Sequence, residues 1–405
     1  MANNPPCKST LTIGLLWHSY FSGNLGVSAL SIGNMTLIRD SARRHGFDTR
    51  FILFGPRGDE AFPEPEGFGP LQYVEASSVK NLGHYRKVLA TCDLVCDIGS
   101  GDSFADIYGF KRFSKIAGLK FLVPDSRKRL VISPQTLGPF KNPILKRIAA
   151  RSMQSARLIM ARDEPSLERG RAIVDARTAA RIKLSTDVAF AMKPLADWPD
   201  HFPKLDHTRT NIGLNVSGLL FQGGYSGDNQ FDLTVDYPAM IRRFIENSAQ
   251  DANRQIWLVP HVYSLSRDGI ESDLQVAKAI ANEYSQVRLA PVFQSAPEAK
   301  TFIAAMDIQY SARMHAAIAA VSTGTACLPL SYSVKFRGLF AQLGYRHLVD
   351  LKSVSTDEAV AEMERSLGRI EQMAGDAAAA QDRAVQILST YVNELDGIFA
   401  EMAAA

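Results

Sequence analysis

The sequence predicts an α/β protein with two domains, each built on a parallel sheet, and a helix closing the chain. Three observations carry this. The 405 residues give room for two or three cores. Short runs of Ile, Val and Leu alternate with longer segments of helical spacing, the pattern of βαβ units. The alternation breaks at Lys193–Thr210, a polar, proline-bearing stretch without periodicity. Composition agrees, with 46% hydrophobic and 21% charged residues and no low-complexity tract.

Residues 1–192 form the first predicted domain. Its strands are expected at Leu11–Trp17, Thr49–Phe54, Leu94–Ile98, Leu130–Ser133 and Leu158–Ala161. Between the first two, Ser28–His45 carries Leu30, Leu37 and Ile38, ends basic, and meets Gly46 as a helix stop. Residues 193–210 read as a linker. The second domain, 211–350, has expected strands at Ile212–Val216, Ile256–Val259, Val287–Ala290, Asp307–Tyr310 and Ala326–Ser331. Helices are expected near Tyr237–Ala249, Asp273–Tyr284, Ala312–Val321 and Val334–Leu343. Residues 351–405 form a helical segment, in which Asp376–Met402 aligns Val385, Leu388, Val392, Leu395 and Phe399 on one stripe.

No apolar run approaches the ~18–20 residues of a membrane span, and MANNPPCKST lacks the layout of a signal peptide, so the chain is expected in the cytoplasm. Cys7, Cys92, Cys96 and Cys327 are too few for a disulfide framework and are read as buried thiols. A net charge of +3 does not argue for a nucleic-acid partner. The charge is uneven, however. Lys111–Arg157 holds twelve Lys or Arg against one acid, Asp125, while Leu351 to the end holds four basic residues against ten acidic ones. The basic run is either a solvated surface or a docking face for anions or lipid head groups, a peripheral contact with the inner face of the membrane. In KNPILKRIAARSMQSAR, Ile144, Leu145, Ile148 and Met153 are expected inward and Lys146, Arg147 and Arg151 outward.

Three segments could carry chemistry. In LLWHSYFSGNLGVSAL a strand runs through a glycine turn into a helix, so backbone N–H groups can face an anion; His18, Asn24 and Gly26 are its candidate binding residues. In CDIGSGDSFADIYG a strand ends at Gly99-Ser100-Gly101, followed by Asp102 and Asp106. Ligands of open α/β sheets gather at the carboxyl ends of strands, so Gly101 is a candidate contact and Asp102 could deprotonate a sugar hydroxyl; the alternative is a helix cap. In DIQYSARMHAAIAAVSTGTACLPLSYSVKFRG, Ser311 is the expected N-cap, placing Arg313 and His315 at the start of an apolar helix where the dipole favours an anion. Residues two apart on a helix do not share a face, so the two converge on one ligand only if Arg313 lies in the non-helical entry. Lys335 and Arg337 follow the next strand as a second cationic pair.

These residues resemble the polysaccharide pyruvyl transferase family, through SGNLGVSAL, DIGSG, ISPQTLGPF, ARDEPS, VPHVYS and, most specifically, SARMHAAIAA followed by LSYSVKFRGLFAQLG. The resemblance implies two Rossmann-like domains in a GT-B-like arrangement. It also implies transfer of pyruvate from phosphoenolpyruvate to a sugar of a polysaccharide or its precursor, forming a ketal and releasing phosphate, with an oligosaccharide or lipid-linked saccharide as acceptor. Arg313 and His315 match the family's Arg and His, and Lys335 its nearby lysine. Val27 and Ser100 depart from the pattern in the first domain, where the acceptor is expected. The inventory suits this chemistry: Arg313, Lys335, Arg337 and Arg162 can meet the donor's carboxylate and phosphate, His261 of VPHVYS adds a contact, and His315 can protonate the enol carbon. No acid–histidine cluster with metal spacing appears in the second domain, so neither a metal nor a cofactor is expected.

Two other readings stay open. A nucleotide-sugar glycosyltransferase of the same architecture would want a pair of glutamates in the second domain, and between Pro297 and Arg337 only Glu298 and Asp307 occur. A non-catalytic sugar-binding protein on the same fold is the other.

Overall fold

Thirteen strands make up two sheets in the computed structural model, which describes residues 9–56, 62–76, 78–263 and 269–405. The first sheet contains β1 (Ser9–Leu16), β2 (Phe47–Gly55), β3 (Gln72–Glu75), β4 (Leu94–Asp97), β5 (Leu130–Gln135), β6 (Leu158–Ala161) and β7 (Ile182–Leu184), in the order β3-β2-β1-β4-β5-β6-β7. The second contains β8 (Thr210–Asn215), β9 (Arg254–Leu258), β10 (Arg288–Leu289), β11 (Ile308–Ser311), β12 (Ala326–Ser331) and β13 (Val349–Asp350), in the order β10-β9-β8-β11-β12-β13. Every pairing within these sheets is parallel. Strands β4, β5, β6, β11 and β12 are buried at every residue, which is why they read as continuous apolar runs. The three strands without a sequence signal, β3, β7 and β13, are short and partly polar and lie at sheet edges.

In each sheet the strand order reverses direction once, between β1 and β4 and between β8 and β11. That reversal leaves a crevice outside the carboxyl ends of the strands, where ligands of open α/β sheets bind.

The chain divides into two units. Unit 1 takes the chain up to Ser22, Leu30–Met192 and Ala384–Ala405; unit 2 takes Gly23–Ala29 and Lys193–Arg383. Residues 193–210, expected as a linker, belong to unit 2. Trp198 stacks on Phe302 and Phe202 meets it edge-on, with ring centroids 5.8 and 5.6 Å away, and the Leu195 amide donates to Thr301 Oγ1. Aromatic burial outweighs the polar character of the stretch. The helical segment is likewise not a separate body. Its helix Thr356–Leu367 packs on Tyr237–Ser248, and the helix Ile370–Ala404 is divided between the units at Arg383.

On that last helix the buried seam runs through Ala384, Leu388, Tyr391, Leu395 and Ile398, and Val385 points outward. Tyr391 belongs to the seam because its hydroxyl is satisfied by Ser133 Oγ at 2.9 Å and Asn34 Oδ1 at 3.0 Å. The helix Pro143–Ser155 buries Leu145 and Met153 but turns Ile144 to solvent, since Ile144 sits in the first turn beside the cap Asn142. Cys92, Cys96 and Cys327 are buried thiols, and burial pushes Cys92 up to about 12. Cys7 lies outside the described residues.

Candidate functional site

The carboxyl ends of β8, β9 and β11 carry a buried polar cluster. Strand β11 runs through Ser311, and the N-cap of the following helix Met314–Val321 is Arg313, not Ser311 as expected. Arg313 has extended backbone angles, φ −98° and ψ 126°, so it stands outside the helix while His315 stands in its first turn. This is the geometry that lets the two side chains converge. The Arg313 amide donates to Asn215 Oδ1 at 2.9 Å. Its guanidinium donates through Nε and Nη2 to Asp273 Oδ1 at 3.1 and 2.8 Å, and through Nη2 to the Glu271 carbonyl at 2.8 Å. Burial works against the Arg313 charge, but Asp273 more than offsets it and holds the group above its ordinary range.

Asp273 is the hub. Fully buried, it also accepts from the amides of Gly218, His261 and Val262 and from Asn215 Nδ2, tying together the segments that leave β8, β9 and β11. Neither Asp273 nor Asn215 is marked by the sequence. An acid directly after Ser272 at a helix start reads as capping, and an asparagine ending a strand reads as a turn.

The glycine turn joins this cluster. Residues Gly23–Ala29 group with unit 2 because the Leu25 amide donates to the His261 carbonyl at 3.1 Å, the Tyr263 amide donates to Gly23 at 2.7 Å, and Asn24 bridges Val262. Asn24 Oδ1 accepts from the Gly26 amide at 3.0 Å. A Cβ added at Gly26 would lie 2.4 Å from His315 Nδ1, so the imidazole rests directly on the first turn of the helix Leu25–Arg44. Two helix N-termini therefore meet at His315, each with partial positive charge.

His261 is buried at the same place. Among the described residues neither ring nitrogen has a hydrogen-bond partner. Burial first, then the nearby His315 and Arg313 charges, push it down to about 3, so the ring is neutral. A buried polar group without a partner in the protein is the mark of a site completed by water or a ligand.

The remaining candidates in unit 2 differ. Lys335 stands in the first turn of the helix Val334–Gln342, which follows β12, the strand next to β11. Arg337, expected as a donor cation, is exposed and paired with Asp350 at 2.8 Å. It is not brought to the cluster.

In unit 1 the candidates are mostly enclosed. His18, expected to bind substrate, is fully buried: Nδ1 bonds the Leu16 carbonyl at 3.0 Å and Nε2 pairs with Asn34 Nδ2 at 2.9 Å. Burial pushes it down to about 3, although the Leu16 bond pulls the other way. Arg162, a candidate cation, is buried with Nη1 on Asp187 at 3.0 Å and Nη2 on Thr136 at 2.6 Å, so its charge is met internally. Gly101 has φ +86°, and a Cβ there would lie 2.7 Å from Leu30 Cδ1, which makes glycine a requirement of the turn. Asp102 is half-buried and accepts from the Tyr108 hydroxyl at 2.8 Å. The sequence did not mark the fully buried ion pair Asp97–Lys120 at 3.0 Å, in which Asp97 also accepts from Gln135 Nε2.

Among the described residues no three His, Cys, Asp or Glu side chains gather as a metal site requires, and no helix is long and apolar enough to cross a membrane.

Solved structures show what the fold is similar to. UDP-GlcNAc 2-epimerase from Neisseria meningitidis, solved with UDP-GlcNAc, aligns with a TM-score of 0.55 at 10% identity, covering 96% of this chain and 99% of that one. The trehalose 6-phosphate synthase of Burkholderia multivorans gives 0.53 at 10% identity, covering 98% and 99%. Sucrose-phosphate synthase from Thermosynechococcus elongatus gives 0.55 at 10%, covering 97% and 99%. At such identities the likeness shows a GT-B-like fold of two parallel-sheet α/β domains. No curated protein matches the sequence. A family model, however, covers residues 35–334, which takes in β8, β9 and β11 with Asn215, His261, Asp273, Arg313 and His315. The chain belongs to the polysaccharide pyruvyl transferase family.

Proposed function

We propose that the protein transfers pyruvate from phosphoenolpyruvate to two hydroxyls of a saccharide, forming a cyclic ketal and releasing phosphate. The observation that carries this is the meeting of His315, Arg313 and neutral His261 with the start of the helix Leu25–Arg44. The donor carries a carboxylate and a phosphate, and this cluster supplies the Arg313 cation, two helix N-termini and an imidazole whose ring nitrogens have no partner among the described residues.

The chemistry follows from the donor. His315 protonates the methylene carbon, making C2 electrophilic. A first sugar hydroxyl adds there and loses its proton, phosphate leaves, and the second hydroxyl closes the ketal and loses its own. Of the two hydroxyl protons, one restores His315 and the other leaves with hydrogen phosphate. Arg313, aligned by Asp273, and Lys335 hold the donor's anionic groups; His261 lines the same pocket. No metal or cofactor takes part in the proposed reaction, because the cationic residues and helix termini supply the charge that a metal supplies elsewhere.

The test is phosphate release from phosphoenolpyruvate with candidate oligosaccharides, set against UDP release from UDP-sugars. Phosphate release that requires an acceptor, with a pyruvylated product, is the expected result. UDP release without turnover of phosphoenolpyruvate would replace this reading with that of a nucleotide-sugar transferase. Binding of saccharide without turnover of either donor would make the protein a sugar-binding member of its fold.

A further inference from the structure

The basic run of unit 1 carries a feature that the reaction does not use. The helix Gly109–Gly118 buries Phe113, Ile116 and Ala117 in the core. Its opposite face, through Phe110, Lys111, Ser114, Lys115 and Gly118, lines a cavity of about 660 Å³, within the range of small-ligand sites. The floor is apolar and buried, made by Trp17, Ala76, Tyr85 and Leu119. The rim is apolar and open: Phe110 is 61% exposed and Leu82 42%.

More exposed apolar side chains stand nearby. Ile107 is 51% exposed and Ile144 60%. Asp106 Oδ2 accepts from the amides of Lys141 and Asn142, which pins the start of the basic helix to the start of Pro143–Ser155 and brings these two together. Not all of the positive charge faces outward. Lys120 is buried on Asp97, Arg129 donates to the carbonyls of Ala90 and Cys92, and Arg157 pairs with Glu401. Lys111, Lys115, Lys141, Lys146, Arg147 and Arg151 are among those that remain exposed, with Asp125 the one acid of the run.

We propose that this face of unit 1 is the seat of an anionic phospholipid bilayer, with Phe110 and Ile107 in the interface, an acyl chain in the cavity and head groups on Lys111 and Lys115. Basic charge alone would serve any polyanion. Exposed Phe, Ile and Leu around an open apolar cavity gain only where hydrocarbon covers them, and that selects lipid. The proposal does not depend on the reaction proposed above.

The full chain is sedimented with phosphatidylcholine vesicles, with and without phosphatidylglycerol, at low and high salt. Binding is expected on the anionic vesicles alone, fading at high salt because the attraction dies within a Debye length of about 8 Å at physiological salt. Changing Lys111 and Lys115 to Gln should weaken it about 30-fold, and Phe110→Ser about tenfold. Gly118→Phe fills the cavity from a position where an added Cβ meets nothing within 4 Å, and should remove quenching of Trp17 fluorescence by lipid spin-labelled on its acyl chain. Trp17→Phe identifies that part of the signal, and thermal unfolding checks that each variant is folded. Equal binding to both vesicle types, or to neither, overturns the proposal. So does binding that falls with the lysine changes yet ignores Phe110→Ser and Gly118→Phe, which would make the face a site for a soluble polyanion.

Discussion

The same strand order produces two carboxyl edges of opposite character. In unit 1 the charged groups and the imidazole at this edge have partners, Asp97 in Lys120 and Gln135, Arg162 in Asp187 and Thr136, His18 in Leu16 and Asn34, although Asp97 Oδ1 and Gln135 Oε1 are buried without one among the described residues. In unit 2 one carboxylate, Asp273, gathers the loops and aligns Arg313, while neither ring nitrogen of the buried His261, near His315, has a partner among the described residues. Topology supplies a crevice in both. Ion pairs occur at both edges, and what separates them is the imidazole: both ring nitrogens of His18 meet polar partners, whereas neither of His261 does among the described residues, and His261 stands with Arg313 and His315.

The sharpest way to break the contrast is at His315. His315→Gln should cost about 10²–10⁴ in turnover, the usual worth of a general acid, while phosphoenolpyruvate still binds. Near-normal turnover would remove the proton donor from unit 2. Gly26→Ala is nearly as severe, because its methyl would strike the imidazole; a roughly 10²-fold loss with an unchanged melting temperature is expected, since misplacement by about 1 Å has that effect. A melting temperature that falls with activity would make Gly26 a packing residue.

Asp273→Asn should act on both stability and donor affinity. Removing one partner of a buried pair costs about 3–5 kcal/mol, and a freed Arg313 should raise KM for phosphoenolpyruvate more than it lowers kcat. Arg162→Gln, the counterpart in unit 1, should destabilise by a comparable amount and leave the KM of the folded fraction unchanged. A donor-specific KM effect at Arg162 would erase the distinction between the two edges.

The smallest effect concerns pH. His18 and His261 have folded values of about 3 against 6.5 for an unfolded histidine, so between those limits the unfolded chain binds more protons. Their contribution to stability is complete above pH 6.5 and declines as the pH falls towards 3. His18→Asn and His261→Asn should each flatten the acid-side decline in melting temperature. Parallel profiles in wild type and variants would mean that these rings are charged in the folded protein.

Much of this was legible in the sequence, and the failures have physical causes. Buried parallel strands announce themselves as apolar runs, and β6 and β12 fall on their expected bounds. Edge strands such as β13, two residues long, have no such run. The pair Arg313 and His315 was legible because cations are out of place in an apolar helix start. Asp273 was not, because its importance comes from donors 11, 12, 40, 55 and 58 residues away in the chain. Arg162, Arg337 and His18 look as suitable as Arg313 in one dimension; the partners Asp187, Asp350 and Asn34 are as invisible there as Asp273 is for Arg313, and what sets Arg313 apart is its place beside His261 and His315.

The most direct test of the central claim is a crystal structure of the protein with phosphoenolpyruvate bound. The donor should lie in unit 2, its anionic groups on Arg313 and the first turn of the helix Leu25–Arg44 and its methylene carbon against His315. Donor density at the carboxyl edge of unit 1, beside Asp102 and Arg162, would contradict the assignment.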